Sequence, residues 1–256
     1  MRQFLLPPSY AGERRLAFSG ADFHHLVRVL RLREGDQLPA VDAGGTLHTM
    51  RIARVGRSAC DVEIAPASTR AAGVPGASIT LLQCLPKGRK IDLIVRQATE
   101  AGVSRVVLVA SERSLSGAEE GAGRISRLRR IAREALQQSG SPRLPEIEGP
   151  RTLASLAEEA VGGQGGWGAA LFFHEEKLSA TSLHELLAGA PPTVSVLIGP
   201  EGGLSGREVA LLAGTGWRPV FLGSTVLRVE TAALYALGAV ETILQEREAW
   251  RVARRK

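Results

Sequence analysis

Two short stretches in the C-terminal third of the chain carry residue types that could do chemistry. The first is VLIGPEGGLSGREV, residues 196–209. Val196, Leu197 and Ile198 read as the end of a buried strand, and Gly199–Gly203 as a tight glycine-rich loop. Ser205, with Glu208 three residues on, reads as a capping box that opens a helix. The glycines permit close backbone approach, Pro200 stiffens the turn, and Glu201 adds one carboxylate. The second stretch is FLGSTVLRVETA, residues 221–232. Here Leu222 and Gly223 end a strand, and Arg228, Glu230 and Thr231 sit where the last helix starts. Side by side, two such loops would grip a flat ligand with apolar edges, such as adenosine, through backbone groups. They lack the run of amides and the lysine that a triphosphate demands.

The remaining motifs exclude more than they assign. GQGGWG, residues 163–168, has the spacing of a dinucleotide fingerprint but follows a helix and precedes a strand, so it reads as a loop. No Walker A sequence is present, and a dehydrogenase or NTPase is excluded with it. Ser205 misses the nucleophile elbow by one residue and is better explained as a cap. No His, Asp or Glu cluster has metal-ligand spacing, and no metal is expected. The two cysteines, Cys60 and Cys84, fit neither a disulfide framework nor a zinc site; two reduced thiols point to a cytoplasmic protein. No apolar run approaches the roughly 20 residues that span a bilayer. The opening MRQFLLPPSY is stopped by two prolines and does not read as a signal peptide. A net charge of +6 and a pI near 10.0 favour an anionic partner, most commonly nucleic acid.

The elements that must position the two loops follow from periodicity. Residues 1–72 read as a β-rich unit with one helix over SGADFHHLVRVLRLREGD, capped by Ser19 with Asp22 in its first turn. DQLPAVDAGGTLHTMRIARV reads as a hairpin turning at Gly44 and Gly45, and ACDVEIA as a further strand; together they suit a small barrel. ASTRAAGVPGAS reads as a linker. From residue 78 onward strands and helices alternate, predicting a parallel sheet covered on both faces, with ligands beyond the C-terminal strand ends. Its strands are SITLLQCL, VSRVVLVA, GAALFFHE, TVSVLIGP and RPVFLG. Its helices include one burying Ile91, Ile94, Val95 and Ala98, another with Ile125, Leu128, Ala132, Ala135 and Leu136 on one stripe, and a long closing helix.

LIGPEGGLS together with LGSTVLRVETA resembles the SPOUT class of S-adenosylmethionine-dependent RNA methyltransferases. HLVRVLRLREGD, PKGRKIDLIVRQATEAGV, SERS and EALQQSGSPRLPEI resemble one branch of it, the RsmE-type enzymes that make 3-methyluridine in 16S ribosomal RNA. The similarity runs from residue 25 to about 235, nearly the whole chain. It implies a PUA-like β-barrel over 1–72 and a SPOUT α/β domain over 73–256, tied in a C-terminal trefoil knot. It also implies a homodimer whose two subunits complete the active site, and a substrate in the small ribosomal subunit. No pattern rule would predict the knot. Carried over by residue, the resemblance places S-adenosylmethionine against His174 in FFHE, Leu197, Gly199 and Gly203 in LIGPEGG, and Leu222, Gly223, Ser224 and Leu227 in LGSTVLR. Two departures stand out: Thr225 and Ser141 occupy positions where the family often has arginine, whereas Arg143 is retained.

The implied reaction has a definite need. The N3 proton of uridine must leave before, or as, the nitrogen attacks the sulfonium methyl, so the enzyme supplies a base or stabilises the resulting anion. Glu201 and Glu230 are the candidate bases, and Arg228 the candidate oxyanion stabiliser. For RNA the candidates are His25, Arg28 and Arg31, at three-residue steps on one helix face, then Lys87 with Arg89 and Lys90, Arg113, Arg143, and a ridge of Arg127, Arg130 and Arg133. Two alternatives keep the fold: a SPOUT methyltransferase acting on another RNA such as tRNA, and a non-catalytic RNA-binding ribosome-assembly factor. The second predicts damaged cofactor loops, and both loops read as intact.

Overall fold

A computed structural model describes residues 3–67, 77–114, 121–141, 143–163 and 165–248. The chain divides into two compact units, Met1–Val74 with Leu136–Leu144, and Pro75–Ala135 with Pro145–Lys256. Most of the stretch read as a linker, 68–76, lies outside the described residues.

The first unit is a five-stranded sheet of β1 (Phe4–Leu5), β2 (Arg15–Ser19), β3 (Gln37–Val41), β4 (Leu47–Val55) and β5 (Ala59–Pro66), in the order β1-β3-β4-β5-β2. The predicted hairpin is β3 and β4, paired antiparallel. Its turn is held by Asp42, whose Oδ1 accepts the Thr46 amide at 2.9 Å. Alternation along β4 and β5 sends Met50, Ile52, Val62 and Ile64 into the core. The edge strands meet through side chains, Phe4 and Phe18 packing edge-to-face at 5.0 Å between centroids.

The helix expected after Ser19 is only partly α. Four residues, Gly20–Phe23 (α1), are α-helical, and His24–Val29 continue as a π-helix. Ser19 stands at the N-cap without a side-chain capping bond. Leu30 donates to the His25 carbonyl, a five-residue reach, and Arg31 then takes a left-handed conformation at φ 57°. The wider turn and the break at Arg31 cancel the three-residue periodicity expected to align His25, Arg28 and Arg31. Arg28 and Arg31 are exposed, while the His25 ring tilts against Phe4 at 6.5 Å.

The second unit alternates strand and helix as predicted. In chain order it runs β6 (Ser78–Cys84), α2 (Lys90–Glu100), β7 (Arg105–Ala110), α3 (Gly121–Ser139, whose residues from Leu136 on belong to the first unit), β8 (Glu146–Thr152), α4 (Leu153–Val161) and β9 (Ala169–Phe173). Then follow α5 (Leu183–Leu186), β10 (Thr193–Ile198), α6 (Gly206–Gly214), β11 (Arg218–Val220) and α7 (Val229–Glu248). The six strands are all parallel, in the order β11-β9-β10-β6-β7-β8. β6 and β10 are central and almost wholly buried, which is why they read as continuous apolar runs. β8 escaped prediction because EIEGPRT sits at an edge, buries only Ile147 and shows neither an apolar run nor alternation. The apolar face of α2 is buried as expected, at Ile91, Ile94, Val95 and Ala98. With every strand parallel, the chain leaves β6, β7, β9, β10 and β11 on one edge of the sheet, and the loops there are brought together.

Candidate active site

Three of those loops and the start of α7 enclose a cleft of about 490 Å3, inside the roughly 300–1,000 Å3 range of small-molecule sites. The walls are residues 173–175 after β9, 198–204 after β10, and most of 220–229 after β11, with Ala232 and Tyr235 on α7. The glycine loop is built as its sequence implies. Ser205 and Glu208 form the capping box: Ser205 Oγ accepts the Glu208 amide at 3.2 Å, and Glu208 Oε2 accepts the Ser205 amide at 2.8 Å. Gly203 bends back at φ 68°, donating to the Pro200 carbonyl at 2.9 Å.

The loop is splinted from two neighbouring strand ends. Glu201 reaches toward the turn after β6, where its carboxylate accepts the Lys87 amide at 3.0 Å and the Lys90 ammonium at 2.8 Å. From the loop after β7, Arg113 donates to the Gly202 carbonyl at 2.5 Å. Glu208, only 5% exposed, has a second oxygen that accepts the Glu112 amide at 2.8 Å. The SERS segment is therefore docked onto the glycine loop by one buried carboxylate and one guanidinium.

Of the residues expected around the cofactor, His174, Gly199, Gly203, Leu222, Gly223 and Leu227 line the cleft. Leu197 does not: it is fully buried between the sheet and its covering elements, and the next residue, Ile198, faces the cleft. Strand alternation places only one of the two there, and a continuous apolar run hides which. Ser224 is exposed and lies outside the lining, whereas its neighbour Thr225 is part of it. Phe173, Ile198 and Val220 went unnamed, although each is the last residue of its strand and the rule that ligands sit beyond strand ends could have found it. Tyr235, one turn beyond Ala232 on an apolar helix, left no such signal.

Of the reaction candidates, Glu201 lines the cleft but is occupied. Burial pushes its carboxyl upward, but hydrogen bonds from Lys90 and from backbone amides outweigh this and hold it below its ordinary 4.5. Lys90 is correspondingly raised by its bond to Glu201. Glu230 turns from the cleft toward the same lysine, 3.8 Å from Nζ. Arg228 is exposed between two lining residues, Leu227 and Val229. Among the RNA candidates, Lys87, Arg89, Arg130, Arg133 and Arg143 are exposed. Arg127 is not a free member of a ridge, because it pairs with Asp92 of α2 at 2.6 Å. Ser141, one of the two departures, is 5% exposed, and its carbonyl accepts Gln3 Nε2 at 2.6 Å, so this position is turned away from solvent.

The depressed Glu201 carboxyl gives a pH expectation. A group held below its unfolded value stabilises the folded loop fully above about 4.5 and loses that contribution only as pH falls through its lower, folded value. Glu201 therefore stays ionised throughout the neutral range. Any acid limb between pH 6 and 8 in the rate profile should survive Glu201→Gln unmoved, while cofactor affinity falls roughly fivefold from the loosened loop. Loss of that limb in the variant would return Glu201 to the role of base.

An RNA methyltransferase is the class that this architecture defines. A family model described as an RNA methyltransferase domain matches residues 75–241, and one described as an RNA methyltransferase PUA domain matches residues 18–65. Ribosomal RNA small subunit methyltransferase E of Mycobacterium tuberculosis is 32% identical over 230 residues, 86% of this chain and 84% of that protein. Its namesake in Aquifex aeolicus is 31% identical over 88% of this chain and 94% of that one. Among solved structures, the Neisseria gonorrhoeae enzyme of that name, bound to S-adenosyl methionine, superposes with a TM-score of 0.82 at 25% identity, covering 95% of this chain and 98% of that one. A Legionella pneumophila methyltransferase in complex with SAM gives a TM-score of 0.78 at 28% identity, covering 94% and 96%. The chain belongs to the ribosomal RNA small subunit methyltransferase E family.

Proposed function

We propose that this protein methylates N3 of a uridine in 16S ribosomal RNA of the small subunit, with S-adenosylmethionine as donor. The observation that carries the reading is the cleft itself: three intact loops at parallel strand ends, in a chain that aligns along nearly its whole length with a relative bound to that cofactor. The residues suit such a ligand. Phe173, Ile198, Leu204, Val220, Leu222 and Val226 supply apolar walls, and the backbone at Gly199, Gly203 and Gly223 can be approached closely. Leu197 and Ser224 drop out of the proposed cofactor set. We further propose that the two loops after β10 and β11 form the trefoil knot of the SPOUT class.

When bound, S-adenosylmethionine supplies an electrophilic sulfonium methyl. Arg228, at the cleft margin, stabilises the anion that spreads onto the uracil carbonyl oxygens as N3 gives up its proton to water. Glu201 and Glu230 both face Lys90, so we assign them to holding the glycine loop and the start of α7 rather than to proton abstraction. His25, Arg28, Arg31, Lys87, Arg113 and Arg143 remain the proposed RNA contacts, Arg113 while also bracing Gly202. A cytoplasmic homodimer completes the proposal. Its support is the exposed apolar surface of Leu93 on α2 and Leu234 on α7, continued by Tyr235 and Val226 at the cleft wall. Sedimentation as a monomer at micromolar concentration would remove the dimer.

The test is methyl transfer from labelled S-adenosylmethionine to small ribosomal subunits lacking the modification, followed by nucleoside mass spectrometry. New 3-methyluridine is expected. Methyl incorporated into tRNA or at another rRNA position would move the substrate; cofactor binding without any transfer would favour an assembly factor.

A further inference from the structure

The cleft holds one carboxylate that neither the loop splints nor the proposed reaction uses. Glu175 lines the wall after β9 and is about half exposed. Its carboxylate stands over Gly203 on the opposite wall: a Cβ built there would lie 2.8 Å from Glu175 Oε1. Among the described residues no Lys or Arg forms an ion pair with it. The nearby ring of His174 has Nδ1 accepting the Glu176 amide at 3.0 Å, which leaves Nε2 to carry the proton; Nε2 is 3.9 Å from Glu175, beyond hydrogen-bond reach. The contrast with Glu201 is direct. Both carboxylates line the cleft, but Glu201 is neutralised by Lys90, and Glu175 presents its charge to whatever the cleft holds.

We infer that Glu175 reads the charge on sulfur. This rests on the cofactor reading above. S-adenosylmethionine and its demethylated product share adenine, ribose, ammonium and carboxylate, and differ in that sulfur is a cation in one and a neutral thioether in the other. A carboxylate with no Lys or Arg partner among the described residues, in a cleft walled by apolar side chains, attracts the first and is indifferent to the second. Glu175 is thus a specificity-determining residue that favours donor over product, so that loss of the methyl group itself weakens the hold on what remains.

Calorimetric titration of the wild-type protein and of Glu175→Gln with three probes tests this: S-adenosylmethionine, S-adenosylhomocysteine, and sinefungin, which carries an amine cation near the position of the sulfonium. Glu175→Gln is expected to weaken the two cationic probes about tenfold and to leave the thioether within twofold. Equal weakening of all three would overturn the inference, since the carboxylate would then be reading a shared part such as the ribose diol or the ammonium. Unchanged binding of all three would overturn it as well. Failure of the wild type to bind any probe is a separate outcome: it removes the cofactor reading and this inference with it. Thermal unfolding of the variant close to wild type excludes a collapsed cleft.

Discussion

Arg228→Ala is expected to lower kcat for uridine methylation by about 10²–10³-fold, the range for removing one donor to a developing oxyanion. The affinity for S-adenosylmethionine should stay within twofold of wild type. The separation follows from geometry. Arg228 is exposed and absent from the cleft lining, while Leu227 and Val229 on either side of it form part of the wall. Its carbonyl accepts the Ala232 amide at 2.8 Å in the first turn of α7, and the substitution leaves that bond in place. Arg228→Lys should recover part of the rate but not all, because an ammonium keeps the charge and loses the planar fork of donors. Single-turnover kinetics alongside cofactor titration reads both quantities. A fall of less than tenfold in kcat would mean that the anion is stabilised elsewhere.

Gly203→Val has the opposite signature: cofactor binding is lost before any chemistry. Gly203 sits at φ 68°, a left-handed conformation that a β-branched residue adopts only under strain. An added Cβ would also press on Glu175 and narrow the cleft between its first and second loops. A loss of about 100-fold or more in affinity is expected, with a destabilisation of about 1–3 kcal/mol from the backbone. The control is Gly206→Ala, three residues along the chain from Gly203 and at the start of α6. A Cβ there meets no atom within 4 Å, so affinity and melting temperature should hold. Calorimetry and thermal unfolding of the two variants side by side check this; near-normal binding by Gly203→Val would place the cofactor away from this loop.

How much of this was legible beforehand depends on how local each feature is. The central strands and the buried face of α2 could be read because burial writes a pattern into adjacent residues. The capping box at Ser205 and Glu208 could be read because both partners lie within one turn. The π-helical turn at His24–Val29 was not legible: HHLVRV carries an acceptable α-helical pattern, and the register changes through backbone bonds that leave no composition mark. Nor was the employment of the charged residues. Arg127 reads as one of several basic side chains until Asp92, 35 positions away in sequence, is placed beside it. Glu201 reads as a free base until Lys90 arrives, 111 positions upstream. The choice between Leu197 and Ile198 turned on which face of a central strand points toward the cleft, and an unbroken apolar run leaves both open.

Those long separations also bear on how the protein comes into being. The glycine loop is fastened by Lys87 across 114 positions and by Arg113 across 89. Its own strand, β10, is flanked by β6 from early in the unit and β9 from late in it. No fragment ending before residue 198 contains the loop, and no fragment starting after residue 90 contains Lys87 and Lys90, which brace it from the turn after β6. Non-local contacts of this kind are slow to form, since the chain must close long loops before they stabilise anything. The pocket is thus a property of the finished domain and of no part of it. During synthesis, competence to bind a ligand arrives late and all at once, when the last strands dock.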